Sequence, residues 1–159
     1  MTLPTTTARQ TPNQAKLRDG YRVLYAFALD PDVCIYEKTG TPPGYDGGDP
    51  TDTTTFHNTQ VRTKAPRTLI DVTNGKFKGT YHPLAYNQIL ALINQEGSIT
   101  CHLPNGDTVD FYGYLKSFAP QEISEGQQPE AEFEIIVTNT DASGNEVVPN
   151  YKTAAGTDV

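Results

Sequence analysis

Asn105-Gly106 stands between two runs of alternating side chains, and that arrangement suits a β-hairpin better than any other local structure. Before it, Ile99, Cys101 and Leu103 alternate with Ser98, Thr100 and His102. After it, Val109, Phe111, Gly113 and Leu115 alternate with Asp110, Tyr112, Tyr114 and Lys116. Asn-Gly supplies the two positive-φ positions of a type I′ turn. A glycine inside a strand, here Gly113, marks a bulge or the close approach of another backbone.

The elements on either side are legible by the same logic. Phe77, Gly79 and Tyr81 alternate with Lys76, Lys78 and Thr80, so residues 75–81 read as a strand with one buried face. Pro83 suits the first position of a helix, and Tyr86, Ile89, Leu90 and Ile93 follow as an apolar stripe widened by Ala85 and Leu92. Gly97 then supplies a left-handed stop, which bounds the predicted helix at about 83–96. A last strand over residues 131–139 places Phe133, Ile135 and Val137 on one face and Glu132, Glu134, Ile136 and Thr138 on the other.

The chain of 159 residues is one domain on length, with 36% apolar residues, no Trp, 13 Gly and 12 Pro, so a modest core carries long loops. The fold expected is mainly β: a β-sandwich or partly rolled barrel of two packed antiparallel sheets with one flanking α-helix. An arm over residues 1–19, a domain over 20–140 and a tail over 141–159 complete the division. Strands are expected over 21–29 and 33–38, broken by Asp30-Pro31-Asp32, and another over 68–72. The breaker-rich tract 39–55, with Pro42-Pro43-Gly44 and Gly47-Gly48-Asp49-Pro50, reads as a loop without regular structure. The cations Arg62, Lys64 and Arg67 that follow it suit either a solvated face or a contact surface.

A formal net charge of -7 argues against general affinity for nucleic acid or anionic membrane. The charge is unevenly spread: residues 1–78 hold ten Lys and Arg against eight acids, residues 79–159 two against eleven. Residues 117–150 carry seven acids and no cation, which suits a solvated surface or one side of a head-to-tail contact with a more basic face. No stretch approaches the roughly 20 apolar residues of a membrane span, and the start of the chain has no signal-peptide core, so the protein reads as made in the cytoplasm. Cys34 and Cys101, each beside apolar neighbours in a predicted strand, read as buried free thiols.

Chemistry finds few candidates. His57, His82 and His102 are isolated and not at metal-ligand spacing, and neither a nucleophile motif nor a phosphate-cradling loop is present. Glu132 and Glu134 lack a partner that would separate their pKa values, and Asp46, Asp49 and Asp52 lack the central Gly and closing Glu of a calcium loop. The chain therefore reads as not an enzyme, with no metal and no cofactor.

Over residues 61–144 the order of elements resembles the major tail tube proteins of long-tailed bacteriophages. The features that carry the likeness are Gly75-Lys-Phe-Lys-Gly-Thr-Tyr, the helix from Pro83, the hairpin with Leu103-Pro-Asn-Gly and Phe111-Tyr-Gly-Tyr, and the strand Glu132-Phe-Glu-Ile-Ile-Val-Thr with its trailing Ser143-Gly144. The tract 39–55 has no counterpart in that pattern. The resemblance implies six subunits per ring, inner sheets joined edge to edge, and rings stacked into a hollow tube of the virion tail that conducts DNA without binding it. It implies a tail-tip or initiator protein, a tape measure and a tail terminator as partners, besides other copies of the chain. A polar, acidic lumen wall would then include Asp110, Glu132 and Glu134, and contacts between subunits and rings would involve Pro42, Tyr45, Asp49, Arg62, Lys64 and Arg67. Two alternatives stay open: a tube protein of a contractile secretion system with the same fold class, and an acidic β-sandwich that binds carbohydrate or protein through a platform such as Tyr112 and Tyr114.

Overall fold

The computed structural model describes residues 23–104 and 106–153. The arm expected over 1–19, the start of the strand expected from Tyr21 and the turn residue Asn105 lie outside the described residues. The strands are β1 (Leu24–Phe27), β2 (Ile35–Thr41), β3 (Tyr45–Asp46), β4 (Thr51–Asp52), β5 (Lys64–Ala65), β6 (Asp71–Val72), β7 (Gly75–Tyr81), β8 (Gly97–His102), β9 (Thr108–Pro120), β10 (Glu130–Val137) and β11 (Asn150–Lys152), with one helix, α1 (Ala85–Leu92).

Seven strands form one antiparallel sheet in the order β1-β8-β9-β10-β7-β2, with β11 extending the sheet along β9. The sheet curls until its two outermost strands, β1 and β2, approach each other. Side chains rather than a ladder bridge the seam between them: Tyr25 donates its N–H to Glu37 Oε1 (3.2 Å) and its hydroxyl to the Thr41 carbonyl (2.5 Å). This is the partly rolled barrel expected, its walls being parts of one continuous sheet. The stretch read as a C-terminal tail contributes β11.

The concave side of the roll is the core. Aromatic rings run through it from β1 to β9: Tyr25 stacks on Phe77 (centroids 5.2 Å apart), Phe77 on Phe133 (4.5 Å), and Phe118 meets both Phe133 and Tyr81 at 5.2 Å. Each fully buried side chain of this size contributes about 1.5–3 kcal/mol. Two bulges decide which residues reach it. The β9–β10 register shifts at Lys116, so Phe118 and Leu115 face inward although their spacing is odd; β2 shifts in the same way at Lys38.

The hairpin forms, with Gly106 at φ +89°. Its turn differs from the two-residue type I′ expected. Leu103 donates to the Asp107 carbonyl and Gly106 to the Leu103 carbonyl, a three-residue connection with one glycine in the left-handed region. Gly113 sits where another backbone comes close, as the sequence implies: a Cβ there would lie 2.1 Å from the Ile136 carbonyl oxygen.

The helix is shorter than 83–96 and is rotated from the expected stripe. It buries Ala85, Ile89 and Leu92, while Leu90 is 74% and Tyr86 50% exposed. Gly97 opens β8 instead of closing the helix. Asn94 takes the left-handed conformation (φ 60°), and its N–H donates to the Leu115 carbonyl, drawing the chain onto β9. Asn is the usual substitute for Gly at that position. The front strands are also displaced: β1 spans four residues, β2 starts at Ile35, and of the strand expected over 68–72 only β6 forms.

Candidate assembly surfaces

The tract 39–55 is not irregular throughout. Thr39, Gly40 and Thr41 belong to β2, and residues 42–74 leave the sheet as an arm stiffened by two short ladders, β3 with β6 and β4 with β5. Polar bonds extend these ladders where apolar packing is missing. Gly44 and Thr73 exchange bonds at the root, with Gly44 N donating to Thr73 Oγ1 and Thr73 N to the Gly44 carbonyl (both 2.8 Å). Arg67 Nε donates to the Asp49 carbonyl (2.7 Å), and Asn58 Oδ1 accepts from Thr55 N (2.8 Å) near the tip. Two-residue ladders leave no periodic signature, which is why the tract reads as a loop.

All six residues expected to make contacts between subunits lie on this arm. Pro42 is at its root, Tyr45 on β3 is 65% exposed, Asp49 and Arg67 are joined by the bond just described, Lys64 lies on β5, and Arg62 faces Asp52 at 3.9 Å with most of its side chain in solvent. Large apolar side chains stand among them on the arm. Phe56, Val61, Leu69 and Ile70 are exposed, Phe56 fully. Phe56 and Val61 stand in solvent on the arm, whereas Leu69 and Ile70 border a depression of about 270 Å³ shared with Tyr45, Val147, Val148 and Pro149; the occurrence of such groups in an otherwise polar tract is the signal that was available.

Asp110, Glu132 and Glu134 share the outer, convex-side face of the sheet. That face is charge-matched rather than acidic. The β7–β10 register places Lys78 opposite Glu132 and Lys76 opposite Glu134, and opposite charges so placed attract across the ladder. Lys38 lies 2.6 Å from Glu130, Lys116 3.6 Å from Glu134, and Lys152 3.0 Å from Asp110, which also accepts from Thr100 Oγ1 (2.8 Å). The hydrogen bond and charge of Lys38 hold the Glu130 carboxyl below its usual range. Between β2, β7, β10 and β9 this face dips into a shallow groove of about 380 Å³ bordered by Thr39, Thr41, Lys76, Lys78, Glu132 and Glu134.

A second depression, of about 510 Å³, lies between α1 and β9 and is lined by Tyr86, Ile89, Leu90, Ile93, Lys116 and Phe118. Tyr86 and Phe118 meet edge to face at 5.3 Å. Tyr112 and Tyr114 are half-buried on the outer face of β9.

Several titratable groups lie inside the fold. Cys101 is buried and its thiol is pushed up to about 11, chiefly by desolvation. Burial also raises the Tyr25 hydroxyl and the Glu37 carboxyl. Cys34, expected to be buried in a strand, precedes β2 and is half-buried, its N–H held by Gln88 Oε1 (3.0 Å). His82 Nδ1 accepts from Leu84 N (3.1 Å) at the start of α1, while His57 is exposed on the arm. Among the described residues no three His, Cys, Asp or Glu side chains gather as metal ligands, and no helix is long and apolar enough to cross a membrane.

Taken together, these elements define a class: an incompletely closed antiparallel barrel with one flanking helix and a projecting arm. No protein-family model and no curated protein matches the chain. Solved structures do share the fold. A chain from the tail of an empty gene transfer agent particle, refined helically with C6 symmetry, matches with a TM-score of 0.53 at 11% identity, over 75% of this chain and 92% of that one. A chain from the virion of a native gene transfer agent particle matches at 0.54 and 13% identity over the same shares. A chain from the six-fold symmetrised baseplate of the anti-feeding prophage matches at 0.55 and 9% identity, over 82% of this chain and 90% of that one.

Proposed function

We propose that this protein is a structural, non-enzymatic subunit of a phage-like tail of the long-tailed kind, assembling with copies of itself into six-membered rings that stack into a hollow tube conducting DNA. The observation that carries the reading is the fold shared with chains of six-fold symmetric tail and baseplate particles over three quarters or more of this chain. Two features of the single chain support it. Among the described residues β1 and β2 are joined by side-chain bonds and not by a ladder, so their edges offer backbone groups able to pair with a neighbour. The arm displays apolar side chains that a second subunit would cover.

In this reading the charge-matched outer face of β7, β9 and β10, with Asp110, Glu132 and Glu134, lines the bore, and the arm residues Pro42, Tyr45, Asp49, Arg62, Lys64 and Arg67 make contacts between subunits and rings. A tail-tip or initiator protein, a tape measure and a terminator are the further partners, the tail is the final location, and synthesis is in the host cytoplasm. Negative-stain electron microscopy of the purified protein over a range of concentrations, with sizing of the same samples, tests it. Six-fold rings or hollow tubes are expected; single subunits at every concentration would overturn the reading and favour a monomeric binding module.

A further inference from the structure

Tyr25 reaches further than the seam. Its ring is fixed from two sides, stacked on Phe77 with centroids 5.2 Å apart and meeting Phe111 edge to face at 6.5 Å. That packing delivers the hydroxyl to the place where the arm leaves the sheet. Thr41 is the last residue of β2 before the arm, and its carbonyl accepts the hydroxyl at 2.5 Å. Gly75 is the first residue of β7 after the arm, and a Cβ placed on it would lie 2.8 Å from the same hydroxyl oxygen. One side chain of β1 therefore lies against both roots of the arm. A buried phenol needs a hydrogen-bond partner, and here the partner is the strand that enters the arm.

The glycine fits this arrangement. The three atoms nearest to a Cβ at Gly75 all belong to Tyr25: the hydroxyl at 2.8 Å and the ring carbons Cζ and Cε1 at 3.3 and 3.4 Å. Gly75 is not among the positive-φ glycines, so the backbone would accept alanine and the hydroxyl would not. Beyond its roots the arm is bonded chiefly to itself, through the Gly44 and Thr73 exchange and its two short ladders, which makes it a unit. Its other support is the depression shared by Tyr45, Leu69 and Ile70 with Val147, Val148 and Pro149, and these three arm side chains stay mostly exposed there. The angle of the arm to the sheet is thus decided mainly at the roots.

We infer that Tyr25 positions the arm: its hydroxyl, set between Thr41 and Gly75, holds the arm at one angle to the sheet and passes to it any shift of β1 at the seam. For its consequence this rests on the assembly reading above. An arm held at one angle before contact needs less ordering when it meets a neighbouring copy, and in that reading the β1 edge and the arm respond to neighbours together.

Pulsed electron paramagnetic resonance on nitroxide-labelled single subunits tests the positioning apart from the tube. Val61→Cys on the arm and Leu90→Cys on α1 carry the labels at exposed sites in a Cys34→Ser chain, while Cys101 is fully buried and stays unlabelled. The labelled parent should give one narrow distance. Tyr25→Phe keeps the ring and removes only the hydroxyl, and the narrow distance should be lost. Gly75→Ala, which drives a Cβ into the hydroxyl, should broaden the distance too, but should add nothing in the Tyr25→Phe chain, where the atom it strikes is gone. Glu37→Ala frees the Tyr25 N–H at the seam and should also broaden it. Circular dichroism verifies folding, and Tyr25→Phe alone decides the matter if Gly75→Ala does not fold.

A narrow distance retained in Tyr25→Phe, or a broad one already present in the parent, would overturn the positioning role. Additive broadening by Tyr25→Phe and Gly75→Ala would overturn the hydroxyl as their shared contact, and indifference to Glu37→Ala would overturn the transmission from β1. Unlabelled chains are imaged at high concentration in parallel. Tyr25→Phe should need about five to ten times more protein than the parent to form tubes, the factor expected of one lost hydrogen bond. An unchanged threshold beside a broadened distance would overturn the consequence for assembly and leave the positioning role. A parent that forms no tubes would count against the tube, and the distances would still decide the positioning role.

Discussion

Tyr25 and Glu37 face each other across the seam where the curled sheet fails to close, the N–H of Tyr25 donating to Glu37 Oε1 at 3.2 Å. A continuous barrel would fill this position with a backbone ladder. Here a half-buried carboxyl substitutes for the missing acceptor, and the Tyr25 hydroxyl reaches the Thr41 carbonyl a few residues further along β2. The seam is therefore a place where protonation and shape are linked.

Burial raises the Glu37 pKa above its ordinary value of 4.5, and hydrogen bonds from its own backbone N–H and from Tyr25 offset that only in part. A raised folded-state pKa means that the stabilising contribution is complete below the unfolded value and is lost as pH rises through the folded one. Glu37→Gln keeps an oxygen acceptor for Tyr25 and removes the charge. The variant should be more stable than the parent near neutral pH, with the difference vanishing well below pH 4.5. Thermal unfolding across pH measures this, and a constant difference would exclude Glu37 titration as its source.

Gly113 is closed to any side chain. A Cβ would meet the Ile136 carbonyl oxygen at 2.1 Å, a backbone atom that no rotamer change can move aside. Gly113→Ala should cost about 2–3 kcal/mol, the upper part of the ordinary overpacking range, and lower the Tm by roughly 5–10 °C. The midpoint of denaturant unfolding gives the same quantity independently, and an unchanged midpoint would mean that β9 and β10 can separate freely at that point.

The two thiols should differ in rate. Cys101 is fully buried and its pKa is pushed up to about 11, whereas Cys34 is only half-buried. Since the thiolate is the reactive form, a thiol reagent near neutral pH should modify Cys34 in the folded chain and Cys101 only on unfolding. Equal rates for both would indicate that the β1–β8 region opens readily.

Glu132 and Glu134 stand opposite Lys78 and Lys76 on the face proposed to line the bore. Replacing both acids by Lys gathers four cations on two adjacent strands. Tubes built from this double variant should retain DNA in a salt-dependent way, as read by co-sedimentation at several ionic strengths. Retention equal to that of the parent would remove these residues from the lumen.

The elements with a strict period of two were legible residue by residue. β7, β8, the first half of β9, and β10 bury the side chains that alternation assigns to the core. What escaped has three physical causes. The extra residues Lys38 and Lys116 reverse the phase within a strand, so the inward turn of Phe118 has no periodic signal. Spacing alone predicts the helix stripe, while the contact of Ile93 and Asn94 with Leu115 turns the helix and leaves Leu90 outside. The arm is held by polar bonds such as Arg67 to the Asp49 carbonyl, and these depend on folding already achieved elsewhere. Of the candidate surfaces, the outer-face acids were legible as strand positions; their cationic partners required the register.

The opposition of Lys78 to Glu132 and Lys76 to Glu134 also sets how far the outer face is felt. Opposite charges set facing one another on adjacent strands largely cancel at a distance, whereas a surface of one sign is felt out to the Debye length, about 8 Å in physiological salt. A polyanion passing such a wall would experience a finely corrugated potential with little net push or pull, and its sliding would depend on close approach more than on the ionic strength of the medium.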